Sequence, residues 1–481
     1  MKHSGKGGSN MKRVFQWIVI PAVLGLLIGA VYYLNHALPI GTGYSAKYVC
    51  SQVFLAGREP EPVFNIDVRP ANPLFRLVST QVNYEDKTVT AKGLGFFSAR
   101  TAVYREGCGC TLAVETDRDA LLEQARDLRP ATAQRPASLA WPLGETVDLD
   151  RLPPGVDRQG LARAMDEFFA EPGPGRLRDT RAVIIVQGNR IIAERYAPGF
   201  SRETPMLGWS MSKSVTAALV GILVRDGVLD ISQPAPVAAW QSPDDPRRAI
   251  TTDMLLRMSS GLDFTEKYKP FKDATTMLYN RGNMAAYAAS KALAGPPDSR
   301  WSYSSGTTNI LAHLVFEAVG GSLKQTHDFA RTRLFEKIGA LSAVIEPDAS
   351  GRFVGSSYMF ATARDWARFG LLLKNHGVWY GERILPKGWV QYAITPTPQA
   401  PQGKYGAQIW LNAGEKENPA QRIFPSLPRD VFYCGGFNGQ IVAVVPAMDL
   451  VLVRLGVTHQ RKNFSREWFI SRVMEVMKPQ E

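Results

Sequence analysis

At 481 residues, with 45% hydrophobic and 21% charged residues, the chain is longer than one average domain and has the composition of a globular protein able to bury large cores. Its net charge of +12 includes four cations near the N-terminus, Lys2, Lys6, Lys12 and Arg13, and no acid precedes residue 35. No Lys/Arg run is interleaved with aromatics, which excludes a nucleic-acid partner and leaves a mildly basic surface facing an anionic envelope.

The first predicted element is the run VFQWIVIPAVLGLLIGAVYYL at residues 14–34. It approaches the roughly 20 apolar residues that span a bilayer, and Pro21 and two glycines are tolerated in such helices. Positive residues precede it, so residues 1–13 read as a cytoplasmic basic tail and 14–34 as a transmembrane anchor. A secretory apolar region is usually about 7–15 residues, which favours an uncleaved anchor; cleavage after Ala37 or Ala46 stays open. In either case the bulk of the chain lies outside the cytoplasm.

Residues 35–140 read as a small accessory region and linker. Val82–Tyr84, Thr88–Ala91 and Ala102–Tyr104 suggest short strands, and Arg129–Pro142 is rich in Pro and Ala. Cys50, Cys108 and Cys110 fall here, and an oxidising compartment permits one bridge, from Cys50 to Cys108 or Cys110, closing a loop of about 60 residues. Cys108-Gly109-Cys110 lacks zinc partners and the six histidines are scattered, so neither a metal nor a cofactor is expected. From residue 141 to 481 a further domain begins with an amphipathic helix near Arg158–Phe169. Arg181–Gln187 and Arg190–Tyr196 then read as a hairpin around Gly188-Asn189. Val431–Tyr433, Gln440–Val445 and Leu450–Leu455 are the last predicted strands. Strands from both ends of this domain form one antiparallel sheet, covered by the helices between.

Within it, Ser210-Met211-Ser212-Lys213 enters a long apolar helix that ends at Arg225-Asp226-Gly227. A serine hydroxyl is a poor nucleophile and needs a neighbour to take its proton. The i, i+3 spacing puts Ser210 and Lys213 on one helix face, with Cβ atoms roughly 5–6 Å apart. Burial behind Ala217, Ala218, Leu219 and Val220 disfavours the ammonium form and makes Lys213 a usable base. Ser210 stands at the helix start, where free N–H groups favour negative charge. The pattern S-x-x-K occurs about once or twice by chance in such a length. A second copy, Ser9 to Lys12, lies in the polar tail; only the Ser210 copy opens an apolar helix.

Five segments in order carry a resemblance: Gly208–Ser214, Leu255–Leu262 (LLRMSSGL), Trp301–Gly306 (WSYSSG), Ala361–Gly370 and Gly435–Gln440 (GGFNGQ). From about Trp141 onward the chain resembles the serine β-lactamase and penicillin-recognising superfamily, in its class C, esterase and 6-aminohexanoate-dimer (nylon-oligomer) hydrolase branch. The resemblance implies an α/β fold, an antiparallel sheet flanked by helices plus a helical lobe. It implies an acyl-enzyme with Ser210 as nucleophile, Lys213 as base and Tyr303 as proton relay, the last requiring neighbouring cations to lower its pKa from about 10. The oxyanion hole falls to the N–H groups of Ser210 and Phe437, with Gly435 and Gly436 allowing close approach. Ser305 is placed beside Lys213 or the substrate. Tyr268, Tyr279 and Trp301 are placed near the pocket mouth, with Tyr268 the nearest by position. The GCxL stretch is similar to that of the nylon-oligomer relatives and favours Cys110 as the partner of Cys50.

Two departures bear on substrate. Tyr303-Ser304-Ser305 stands where class C enzymes carry Tyr-x-Asn, a serine that the nylon-oligomer branch tolerates. Cys434-Gly435-Gly436 replaces Lys-Thr-Gly and lacks the lysine that helps hold an acidic substrate's carboxylate. The expected function is a serine hydrolase of a small ester or amide, anchored in a bacterial inner membrane and facing the periplasm. Short neutral esters are expected to be favoured over penicillins, with Cys434 as a neutral wall residue. The rivals are a covalent penicillin- or peptidoglycan-type sensor without turnover, and a true β-lactamase or D-Ala carboxypeptidase.

Overall fold

The apolar N-terminal run opens a helix that does not stop where the run ends. In a computed structural model describing residues 15–128, 135–136 and 138–477, a π-helical turn at Phe15–Val19 leads into α1 (Ile20–Cys50) and a second π-helical turn at Ser51–Leu55. The tail at 1–13, the Ser9–Lys12 motif and part of the linker lie outside the described residues. Side chains from Phe15 to Tyr33 are exposed, whereas Ala37, Leu38 and the stretch from Thr42 to Cys50 are buried. One helix therefore serves two environments, and the boundary expected at 34/35 falls inside it.

The buried half of α1 packs on an antiparallel sheet of β1 (Val78–Asn83), β2 (Thr88–Gly93), β3 (Phe97–Arg105) and β4 (Gly109–Leu112), in that order. Cys50 at the end of α1 is bonded to Cys110 on β4, with 6.1 Å between Cα atoms, while Cys108 is free and buried. Beside the disulfide, the fully buried Glu346 carboxylate accepts from Lys47 Nζ, from Ser51 Oγ at 2.8 Å and from the Cys110 N–H at 2.7 Å. Gly109 makes room for it: at φ 72°, a Cβ there would sit 2.6 Å from Glu346 Oε1. Tyr44, Val49 and Leu112 join the same apolar core as Trp209, Leu219 and Trp366. The accessory region and the hydrolase-like region thus share one core.

The second sheet confirms the predicted strands to within a residue or two. It is built from β5 (Thr180–Gln187), β6 (Arg190–Tyr196), β7 (Trp410–Leu411), β8 (Phe432–Gly435), β9 (Ile441–Val445) and β10 (Leu450–Gly456), in the order β7-β8-β9-β10-β5-β6 and antiparallel throughout. The chain's last long strand thus pairs with its first in this domain, Val453 opposite Ile184. Alternation decides which residue faces which layer. Ile184, Cys434, Val442 and Val453 join the central core, and Ile185, Tyr433, Ala443 and Leu452 join an outer one. The outer face is covered by α2 (Arg158–Phe169) through Leu161, Met165 and Phe168, together with the C-terminal helix. Each such side chain, fully buried, contributes roughly 1.5–3 kcal/mol over exposure. Against the inner face lies α5 (Ala363–Lys374), and α4 (Ser305–Ala318) packs against α3 (Ser212–Arg225). Gly370 lets α5 close on the sheet, since a Cβ there would lie 2.5 Å from Val451 Cγ1.

Candidate active site

The short strand Met206–Leu207 delivers the chain to Gly208, and a 3-10 turn at Trp209–Met211 feeds α3. Trp209 is buried with φ 49°, a left-handed backbone that a bulky residue adopts only under tertiary constraint. That turn leaves Ser210 half-buried between buried neighbours, with its hydroxyl on the floor of a cavity of about 500 Å³. From Ser212 to Leu223 every residue of α3 is buried, which takes Lys213 out of water.

Lys213 Nζ donates to Ser210 Oγ at 3.2 Å, to Ser305 Oγ at 3.0 Å and to the Ser356 carbonyl at 3.0 Å, and lies 4.9 Å from the centre of the Tyr303 ring. Burial lowers its pKa to about 8, against the opposing pull of the Glu266 carboxylate. Tyr303 and Ser210 both line the cavity. Contrary to the sequence expectation, burial pushes the Tyr303 phenol up, and Ser210 and Arg466 offset this only in part. The phenol therefore stays protonated.

β8 passes directly over this floor. A Cβ on Gly436 would sit 2.2 Å from the Gly208 carbonyl oxygen, so only glycine lets the strand close on the Ser210 turn. The next residue, Phe437, puts its ring 5.7 Å from Trp209 and 5.7 Å from Tyr268, and Gly435, Gly436, Phe437 and Tyr268 all belong to the cavity wall. Tyr268 donates to Glu266 Oε1 at 2.9 Å.

Three expected wall residues stand elsewhere. Cys434 alternates to the opposite face of β8, in the central core near Ser214, where burial pushes its thiol up to about 12. Trp301 packs behind Tyr303 among Tyr405 and Trp410, whereas Ser305, fully buried, stands beside Lys213 as one of its two expected places had it. Tyr279, expected near the mouth, is buried against Tyr44 at 5.8 Å. Although the strand lysine is missing, Arg461 and Arg466 line the cavity; Arg466 donates to the Gly436 carbonyl at 2.7 Å. His459 lines the cavity, but its Nε2 is 3.1 Å from the Ile66 carbonyl oxygen.

Sequence reasoning missed Glu266. Its carboxylate accepts from Ser305 Oγ at 2.6 Å and from the Ser305 N–H at 2.7 Å, extending the chain Ser210–Lys213–Ser305 to an acid in the cavity wall. The available signal was an acid two residues before Tyr268, which has no meaning until the loop folds onto α4.

A Beta-lactamase family profile matches residues 165–468. The 6-aminohexanoate-dimer hydrolase of Paenarthrobacter ureafaciens is 27% identical over 298 residues, 57% of this chain and 72% of that protein. Among solved structures, a family VIII carboxylesterase superposes with a TM-score of 0.51 at 14% identity, covering 68% of this chain and 97% of that one. A putative β-lactamase from Bacteroides dorei DSM 17855 gives 0.50 at 16% identity, over 66% and 96%. These two likenesses show the fold. With a matched segment of more than half its length, the chain belongs to the Beta-lactamase family.

Proposed function

We propose that the protein hydrolyses a small ester or amide through an acyl-enzyme on Ser210. The observation that carries this reading is Lys213 Nζ at 3.2 Å from Ser210 Oγ, in an environment that leaves its pKa at about 8. The neutral amine takes the hydroxyl proton as Oγ attacks the carbonyl carbon. The Ser210 and Phe437 N–H groups receive the developing oxyanion. Tyr303 gives its proton to the leaving oxygen or nitrogen as the bond breaks, and regains one from the Lys213 ammonium. Water then attacks the acyl carbon, Lys213 accepts its proton, and Ser210 recovers its own as the acid departs. The chain's similarity to a 6-aminohexanoate-dimer hydrolase and, in fold, to a family VIII carboxylesterase supports an ester or linear amide as substrate.

The long apolar helix supports an anchor, with the hydrolase unit on the far side of the membrane from the basic tail. A fluorophosphonate probe should label the full chain on the peptide holding Ser210. p-Nitrophenyl acetate and 6-aminohexanoate dimer, assayed alongside nitrocefin and a D-Ala-D-Ala peptide, read turnover. Unchanged labelling in Ser210→Ala would remove the reading, and stoichiometric acylation without turnover would replace it with the covalent sensor.

A further inference from the structure

Where α1 leaves its exposed apolar half, two loops crowd its sides with uncovered apolar side chains. On one side is the β2–β3 turn. Gly93 packs against Leu38 so closely that a Cβ would lie 3.0 Å from Leu38 Cδ2, which sets the turn alongside the helix turn just beyond Leu34. Its tip exposes Leu94 at 44%, Phe96 at 73% and Phe97 at 52%. Leu77, bonded through its carbonyl to the Leu94 N–H at 2.7 Å, extends the patch.

On the other side is the loop 263–272. Phe271, 45% exposed, stacks 5.7 Å from Tyr32 and 4.6 Å from His36, at the level where the apolar run gives way to Asn35 and His36. It does so from φ 63°, a strained backbone for an aromatic residue and one held only by its surroundings. The same loop carries exposed Lys267, Lys269 and Lys272, and Arg76 is exposed beside Leu77. Aromatic rings with cations around the exit of an apolar helix match the bilayer interface, where rings sit among headgroups and cations meet anionic lipid.

This loop also supplies Glu266 and Tyr268 to the cavity wall. Only Lys269 and Pro270 separate Tyr268 from Phe271, and three steps along the chain reach at most about 10 Å. The cavity rim and the anchor are therefore tied to one short segment.

Resting on the reading of α1 as an uncleaved anchor and of Ser210 as a nucleophile, we infer that the β2–β3 tip and the loop 263–272 seat the hydrolase unit in the headgroup layer of an anionic bilayer. The cavity then opens at the membrane surface and takes amphiphilic acyl esters or amides dissolved there, rather than solutes from the bulk.

The test uses the full chain in phosphatidylcholine vesicles with and without phosphatidylglycerol. The two free cysteines are buried, so a nitroxide can be attached at Phe96→Cys, Phe271→Cys, Leu26→Cys in the anchor and Val228→Cys as an exposed reference. Labels at 96 and 271 should be more accessible to oxygen than to a water-soluble nickel chelate, approaching the label at 26 and unlike that at 228. A label at 26 in lipid with those at 96 and 271 in water overturns the docking and leaves the anchor standing. A label at 26 in water removes both. In parallel, the triple variant Lys267→Gln, Lys269→Gln, Lys272→Gln should lose roughly tenfold in rate on a long-chain p-nitrophenyl ester held in anionic vesicles and keep its rate on p-nitrophenyl acetate. Equal effects on the two esters, including none on either, would count against the inference. Absence of hydrolysis by the parent chain would strike the nucleophile reading, while the label positions would still decide the docking.

Discussion

Lys213 and Glu266 form an opposed pair, burial lowering the amine's pKa and the carboxylate raising it. A base must be neutral to act, so kcat/KM should rise with pH and level off near the value of about 8. Replacing Glu266→Gln deletes the carboxylate that raises the amine's pKa, while an amide oxygen can still accept from Ser305. The acid limb should therefore move to lower pH, with a fall in kcat from the disturbed Ser305. An unmoved inflection would reduce Glu266 to a structural support of its loop. Lys213→Ala in the same assay should cost more than roughly a thousandfold, as groups acting as a unit do.

Between elements, the buried contact of α1 with the hydrolase unit runs through Glu346. The side chains of Lys47 and Glu346 are 6% and 0% exposed, and Ser51 and the Cys110 N–H depend on the same carboxylate. Removing one member of a buried pair strands the other, at a cost of about 3–5 kcal/mol. Glu346→Ala should show that loss in denaturant unfolding of the detergent-solubilised chain, and Glu346→Gln a smaller one. A loss below about 1 kcal/mol would mean that water or a neighbouring group reaches Lys47. The residues left Cys50 to pair with Cys108 or Cys110 and only the family resemblance favoured Cys110, while nothing in the sequence ties Lys47 to a residue 299 positions away.

For the whole molecule, the unbroken helix bears on whether the anchor is kept. Ala46 is fully buried four residues before the disulfide, and cleavage there would separate Tyr44 from the core it occupies and Leu38 from its packing on Gly93. The chain recovered from membranes should retain residues 15–34 by intact mass. A mature N-terminus at Leu38 or Lys47 would show that the helix serves only for export.

Local pattern was enough for a good deal. Period-2 apolar runs with a Gly188-Asn189 turn located β5 and β6, the 3.6-residue period located α2, and the apolar stretch after Ser210 located α3, because each depends on neighbours within a few residues. The i, i+3 relation of Ser210 and Lys213 is likewise local. Distant contacts were not legible. Which face of β8 Cys434 occupies depends on register with β9, where it lies opposite Val442, and a one-residue error reverses it. Glu266, Arg466 and the ring of Phe271 acquire their roles from loops and a C-terminal helix that meet only after folding. The end of the apolar run said where hydrophobicity stops, not where the helix does, because beyond Leu34 the helix is held by a core assembled from the rest of the chain.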